Sequence, residues 1–402
     1  MKAEAVSCGA RLPRRAFETV VRRSILDSFK WNLNDDSGQS RLCDFPLLVG
    51  RELHDDFARL AVALDAEARE AEVELLSRTD LHARLGLSTA LRKALRGALP
   101  RDSCRFARFD FHPVVGGGFA ITEGNLDVAG GFNEASGVTR TFAEHVVGAA
   151  VAGDVAGALA SAIRDEVGVH ARVGCLYLTN FTDDHQVVRF FGRELERAGT
   201  VPVLFGPAQL RWDAGSACAL VGADLIRLSA VFRFLPAEWL PRFEPISEWP
   251  RIFQPGSTRW VNPGSTILTQ SKRFPLVWSE LRTELSTWKS LLPDTRSPRR
   301  AFGGRWVLKP ALAHEGYRVG MAGVTQRGHY ARIRLESRLL ASRWVAQRRF
   351  PAASIQTPDG PRFPCLGMYV VNGRPAGLYG RLAREPLIDD KAQDVVILLR
   401  PE

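Results

Sequence analysis

The sequence predicts a mixed fold, α/β in its middle and α+β around it, with helices at the N-terminal side. Three observations carry that reading. Residues 172–205 run as apolar strand, amphipathic helix and apolar strand, the pattern of a small parallel α/β unit. Residues 105–125 read as a hairpin reversed by Gly116, Gly117 and Gly118. Residues 55–99 repeat apolar side chains at helical spacing. The chain has 402 residues, 45% of them hydrophobic and 24% charged, enough to bury a sizeable core in two or three domains and too apolar for a disordered chain.

Each element follows in order. Residues 1–100 form a helical region in which Phe57, Leu60, Ala61, Leu64, Ala68 and Leu75 make one apolar stripe. Residues 101–170 hold the hairpin and two alanine-rich helices expected at 134–151 and 154–167. Residues 171–240 form the small α/β domain. There 172–178 is a strand, Asp183 opens a helix lined by Val187, Val188, Phe191 and Leu195, Gly199 closes it, and 201–205 is the next strand. Residues 241–402 begin with a connecting segment at 241–263 that contains five prolines. A helix is expected at 279–291 from Trp278, Leu281, Leu285 and Trp288, then a break at 293–304. Short strands follow, with an arginine-rich helix at 333–344.

The net charge of +10 favours anionic partners, and much of it is arginine in the last hundred residues. Six cysteines, Cys8, Cys43, Cys104, Cys175, Cys218 and Cys365, lie scattered without paired spacing and read as reduced thiols. No signal peptide and no membrane-length apolar run is read, so the expected location is cytoplasmic.

The hairpin carries the chemistry. With the turn centred on Gly116-Gly117, antiparallel pairing sets Asp110 opposite Glu123 and Arg108 opposite Asn125, all four on one face. Opposed carboxylates repel, and a bound cation reverses that sign. Asp110, Glu123 and Asn125 supply the hard oxygens that suit Mg2+. A solvated polar face accounts for the same spacing. Asp127 falls on that face near the hairpin's end and stays outside the metal set, and a lone His112 reads as a packing or hydrogen-bonding residue.

The run Arg108-Phe109-Asp110-Phe111, then Glu123-x-Asn125, continues through Trp306-Val307-Leu308-Lys309-Pro310, Gln347 and Gly380-Arg381. These spaced motifs resemble the glutathionylspermidine synthase family of ATP-grasp ligases, synthetase part only, from about residue 40 onward. The resemblance implies an ATP-grasp fold with an associated pre-ATP-grasp-like α/β domain, and ATP and Mg2+ as cofactors. It assigns Lys272 and Lys309 to ATP phosphates, Gly316 to the phosphate-covering loop, Gln347 to the adenine side, and Arg108 and Arg381 to catalysis, Arg108 also touching ATP. The implied reaction joins a small-molecule or peptide carboxylate to an amine through an acyl phosphate. Too few residues precede the ligase-like region for the family's separate cysteine amidase domain. The segment after Asn125 departs from the sequence that helps to hold glutathione, and Asp389, Asp390 and Asp394 are the carboxylates available to a polyamine. Two other readings stand beside this one: a non-catalytic nucleotide-binding protein, which the glycine-poor loop supports, and a nucleic-acid-binding protein, which rests on charge alone.

Overall fold

A computed structural model describes residues 6–35, 38–243, 248–303, 305–313 and 318–401. Helix α1 (Arg14–Ser28) precedes the long helix α2 (Arg51–Ser77), which buries Phe57, Ala61, Leu64, Ala68 and Leu75 as the stripe predicts. The hairpin follows as β1 (Phe106–Pro113) and β2 (Phe119–Asn125), and after two short helical turns comes α3 (Val155–Val167), capped by the Asp154 carboxylate. Strand β3 (Arg172–Tyr177), helix α4 (Thr182–Arg197), and strands β4 (Val201–Phe205), β5 (Ala230–Phe234) and β6 (Arg259–Val261) make a four-stranded parallel sheet in the order β6-β5-β3-β4. The α/β periodicity thus led to the right unit. The proline-rich segment supplies that sheet's edge strand as well as a connection.

A smaller antiparallel sheet holds β7 (Trp306–Pro310), the arginine-rich helix α5 (Arg327–Leu339) that packs on it, and β8 (Trp344–Arg348). The chain closes with β9 (Gly360–Val371), β10 (Arg374–Ala383) and β11 (Gln393–Val395), which join the hairpin in a six-stranded sheet whose main path is β11-β10-β9-β1-β2, the short strand Ile355–Thr357 pairing with one end of β9 as the sixth. Helix α2 packs on one face of this sheet, where the Phe57 ring stacks on Phe111 at 4.5 Å. The opposite face is apolar only at one end, around Phe106, Phe132 and Tyr369. Its other end carries the charged residues of the hairpin.

Three expected helices differ. The 134–151 helix ends by Ala143, because the chain turns at Gly148, with φ +75°, into a strand at Ala150–Val151. The 279–291 helix is confined to Ser286–Leu291, because Glu74 of α2 takes the backbone N–H groups of Arg282 and Thr283, while Glu67 caps the helix that remains at Thr287 and Trp288. The arginine-rich helix starts six residues earlier than expected and stops at Leu339, so that Trp344 opens a strand. All six cysteines are free, and among the described residues no helix is long and apolar enough to cross a membrane.

Candidate functional site

Strand alternation sets Arg108, Asp110 and His112 of β1 on the open sheet face, with Tyr369 beside Arg108 and Gly367 beside Asp110 on β9. Arg108 faces Asn125, as expected. Arg108 Nε and Nη2 donate to the Asp110 carboxylate at 2.7 and 3.0 Å, and Asn125 Nδ2 donates to the same carboxylate at 3.0 Å. The guanidinium also donates to the Gly130 carbonyl at 2.6 Å and lies 4.9 Å from the Tyr379 ring centroid. Burial opposes the Arg108 charge, yet Asp110 leads the influences that hold its pKa well above the usual value. A Cβ on Gly367 would stand 2.7 Å from both Arg108 Cδ and Asp110 Oδ1, so the pair rests on bare backbone.

The expected opposition of Asp110 and Glu123 does not form. The register steps between Phe109 and Phe111, leaving Thr122 and Glu123 together across from Asp110 as a bulge. The neighbouring sheet supplies the reason. The Thr122 carbonyl accepts from Lys309 Nζ and Gln347 Nε2, each at 3.2 Å, and Glu123 Oε2 pairs with Lys272 Nζ at 2.7 Å. Each carboxylate thereby finds its own cation, and the like-charge contact is avoided.

Glu123, Lys272, Lys309 and Gln347 line one cavity together with His112 and Thr122. Lys309 is 7% exposed and donates to Gln347 Oε1 at 2.8 Å, and among the described residues no carboxylate touches it. Burial, with Lys272 adding to it against Glu123, pulls Lys309 down to about 8. Lys272 Nζ also donates to the Ala313 carbonyl at 2.7 Å. Burial likewise pulls His112 down to about 4, so its ring is neutral at pH 7.

Arg108, Asp110 and Asn125 stand beside this cavity on the sheet face rather than in its wall. Arg381 reaches the same region from β10, across from Cys365. Burial pushes the Cys365 thiol well up, and the charges of Asp110, Arg108, Arg381 and Glu123 act on it as well. Arg381 Nη2 donates to the Asp389 carbonyl at 2.6 Å, and its Nε is buried without a partner. Gly316 lies outside the described residues. Asp127 sits elsewhere, in a fully buried ion pair with Arg233. Tyr369 and Tyr379 were not anticipated, although extending the alternation along 365–381 points to both.

Among the described residues no three His, Cys, Asp or Glu side chains group as a metal site. Asp110, Glu123 and the Asn125 amide nonetheless fit a hard divalent ion in chemistry, all being oxygen donors beside a surplus of cations. Among the described residues Arg108 pairs with Asp110, Lys272 with Glu123, and Asp394 acts on Arg381 from the next strand, which leaves Lys309 as the cation without a carboxylate in contact and suits an anion.

A family model described as glutathionylspermidine synthase preATP-grasp matches residues 51–399. The chain belongs to that family. Its mixed α/β architecture is that of ATP-grasp-related synthetases, and membership makes it a glutathionylspermidine synthase-like ligase. No curated protein matches it in sequence. Among 47 matching chains of solved structures is a protein described as a gamma-glutamylcysteine synthetase from Methylobacillus flagellatus KT. It is 12% identical with a TM-score of 0.45, over 83% of this chain and 86% of that one.

Proposed function

We propose that this glutathionylspermidine synthase-like ligase uses ATP to join a carboxylate to an amine through an acyl phosphate. The observation that carries the reading is Lys309: a buried ammonium lining the cavity with no carboxylate against it among the described residues. Burying such a charge is costly unless an anion meets it, and a phosphate chain laid between Lys309 and Lys272 supplies one. Gln347 then lies toward the adenine. Asp110, Glu123 and Asn125 would hold Mg2+, which neutralises phosphate charge when bound.

Arg108 and Arg381 supply fixed positive charge where the transferring phosphoryl group gains negative charge. The acid's carboxylate oxygen takes the γ-phosphoryl group and ADP leaves. The amine then attacks the acyl carbon, and phosphate departs as the C–N bond forms. Burial of Arg108 between two tyrosine rings keeps its guanidinium rigid for this work.

The test is a screen of acids and amines for phosphate release, with mass spectrometry of the conjugate. Mg2+-dependent ADP formation is expected only when acid and amine are both present. Asp110→Ala, Glu123→Ala and Arg381→Ala should each lose on the order of 100-fold or more. ATP binding with no ADP formation across a broad panel would leave a nucleotide-binding protein without ligase chemistry.

A further inference from the structure

Resting on the ligase reading, we infer that Lys30 is a positioning residue: by occupying the Asp394 carboxylate it keeps Arg381 free to serve the reaction. Arg381 and Asp394 are direct partners across β10 and β11. Opposite charges so placed on adjacent strands ordinarily pair. Here they do not. Asp394 Oδ2 instead accepts from Lys30 Nζ at 2.9 Å, and Oδ1 accepts from the Tyr379 hydroxyl at 2.7 Å. The backbone of Asp394 is clamped as well, its N–H donating to the Arg41 carbonyl at 2.6 Å and its carbonyl accepting from Cys43 at 2.9 Å.

Lys30 is 2% exposed and also pairs with Glu134. It is placed by the end of α1, where Phe29 turns left-handed at φ 51° and the Lys30 N–H closes the helix on the Ser24 carbonyl. With Asp394 satisfied in this way, among the described residues Arg381 spends its N–H groups only on the Asp389 and Ala392 carbonyls, and its Nε stays unpartnered. Without Lys30, the Asp394 carboxylate would be buried with too little charge to meet it, and the nearest cation is Arg381 across the ladder. Capturing Arg381 would turn its guanidinium off the region it shares with Arg108 and Asp110. The Asp394 to Tyr379 hydrogen bond also fixes the ring on which Arg108 rests. Lys30 lies outside residues 51–399, so the family match does not reach it.

The experiment compares the wild-type ligase with Lys30→Met, Lys30→Arg and the double variant Lys30→Met with Asp394→Asn. Lys30→Met should lower kcat by roughly 10- to 100-fold while KM for ATP stays within about threefold, since the phosphate-binding lysines are untouched. Lys30→Arg should recover most of the loss. The double variant, which removes the capturing carboxylate, should regain about tenfold over Lys30→Met, a coupling that a purely structural role would not produce. A crystal structure of Lys30→Met should show Arg381 bonded to Asp394. A double variant as slow as Lys30→Met, or an unmoved Arg381, overturns the inference. If Lys30→Met does not fold, the crystal structure of Lys30→Gln decides, since Arg381 bonded to Asp394 supports the inference and an unmoved Arg381 overturns it. A wild-type protein that forms no ADP refutes the ligase reading itself, and the crystal structures still judge whether Arg381 swings.

Discussion

Lys309 and Glu123 set the charge of the cavity, and each predicts a sign. The Lys309 ammonium titrates near 8 in the folded chain, against about 10.4 for an unperturbed lysine. The unfolded chain therefore binds more protons between those values, so the burial penalty is full below pH 8 and fades as pH rises toward 10. Phosphate against the ammonium restores the proton. ATP affinity is then expected to be flat below pH 8 and to weaken about tenfold per unit above it, while Lys309→Arg, permanently charged, removes that slope. Titration calorimetry at pH 7 to 10 reads it, and a flat wild-type profile counts against the contact. Glu123→Gln deletes the carboxylate beside Lys272, so ATP without metal should bind more tightly while turnover falls on the order of 100-fold. Placement was legible where strand alternation fixes a face, as for Arg108, Asp110 and Asn125. Lys30 was not, because its partner Asp394 lies 364 residues away in the chain.

At the level of elements, glycines separate folding from chemistry. A Cβ at Gly124 would stand 2.8 Å from the Trp288 ring and 3.0 Å from Phe109, two buried rings with nowhere to move. Gly124→Ala should cost about 1–3 kcal/mol of stability, read from the denaturant midpoint. At Gly367 the neighbours are instead the flexible stem of Arg108 and the Asp110 carboxylate. Gly367→Ala should therefore cost little stability and lower kcat by roughly tenfold or more, because the pair is displaced. The opposite ranking of the two variants would count against the role proposed for Arg108 and Asp110. The hairpin itself was legible from its glycines, but the bulge was not. Local spacing fixes a two-residue period only until another sheet competes for the backbone, as Lys309 and Gln347 do at Thr122. The shortened helix ending at Leu291 has the same origin: its aromatic spacing is real, and Glu74 of the long helix α2 takes the N–H groups of Arg282 and Thr283 ahead of it.

Across the whole molecule, the charge is strongly uneven. Residues 294–349 contain thirteen Lys and Arg against three Asp and Glu, so the excess of ten for the entire chain resides in this one stretch. The arginine concentration was visible in the sequence, but not its orientation. Arg299, Arg300, Arg327, Arg332, Arg334 and Arg338 lie on the exposed side of the smaller sheet and its helix, while the inner strands carry Lys309 and Gln347 to the cavity. If the cavity takes ATP as proposed, a basic lobe around it steers that tetra-anion toward it before contact, and added salt screens the pull within about 8 Å at physiological ionic strength. Stopped-flow measurement should find the ATP association rate falling as salt rises, with dissociation changing little. Replacing Arg332, Arg334 and Arg338 with Gln should flatten the salt dependence and slow association, yet leave kcat unchanged, because these side chains face solvent rather than the cavity. An association rate that ignores salt, or a triple variant that lowers kcat, would mean that the lobe's charge serves some other contact than the approach of nucleotide.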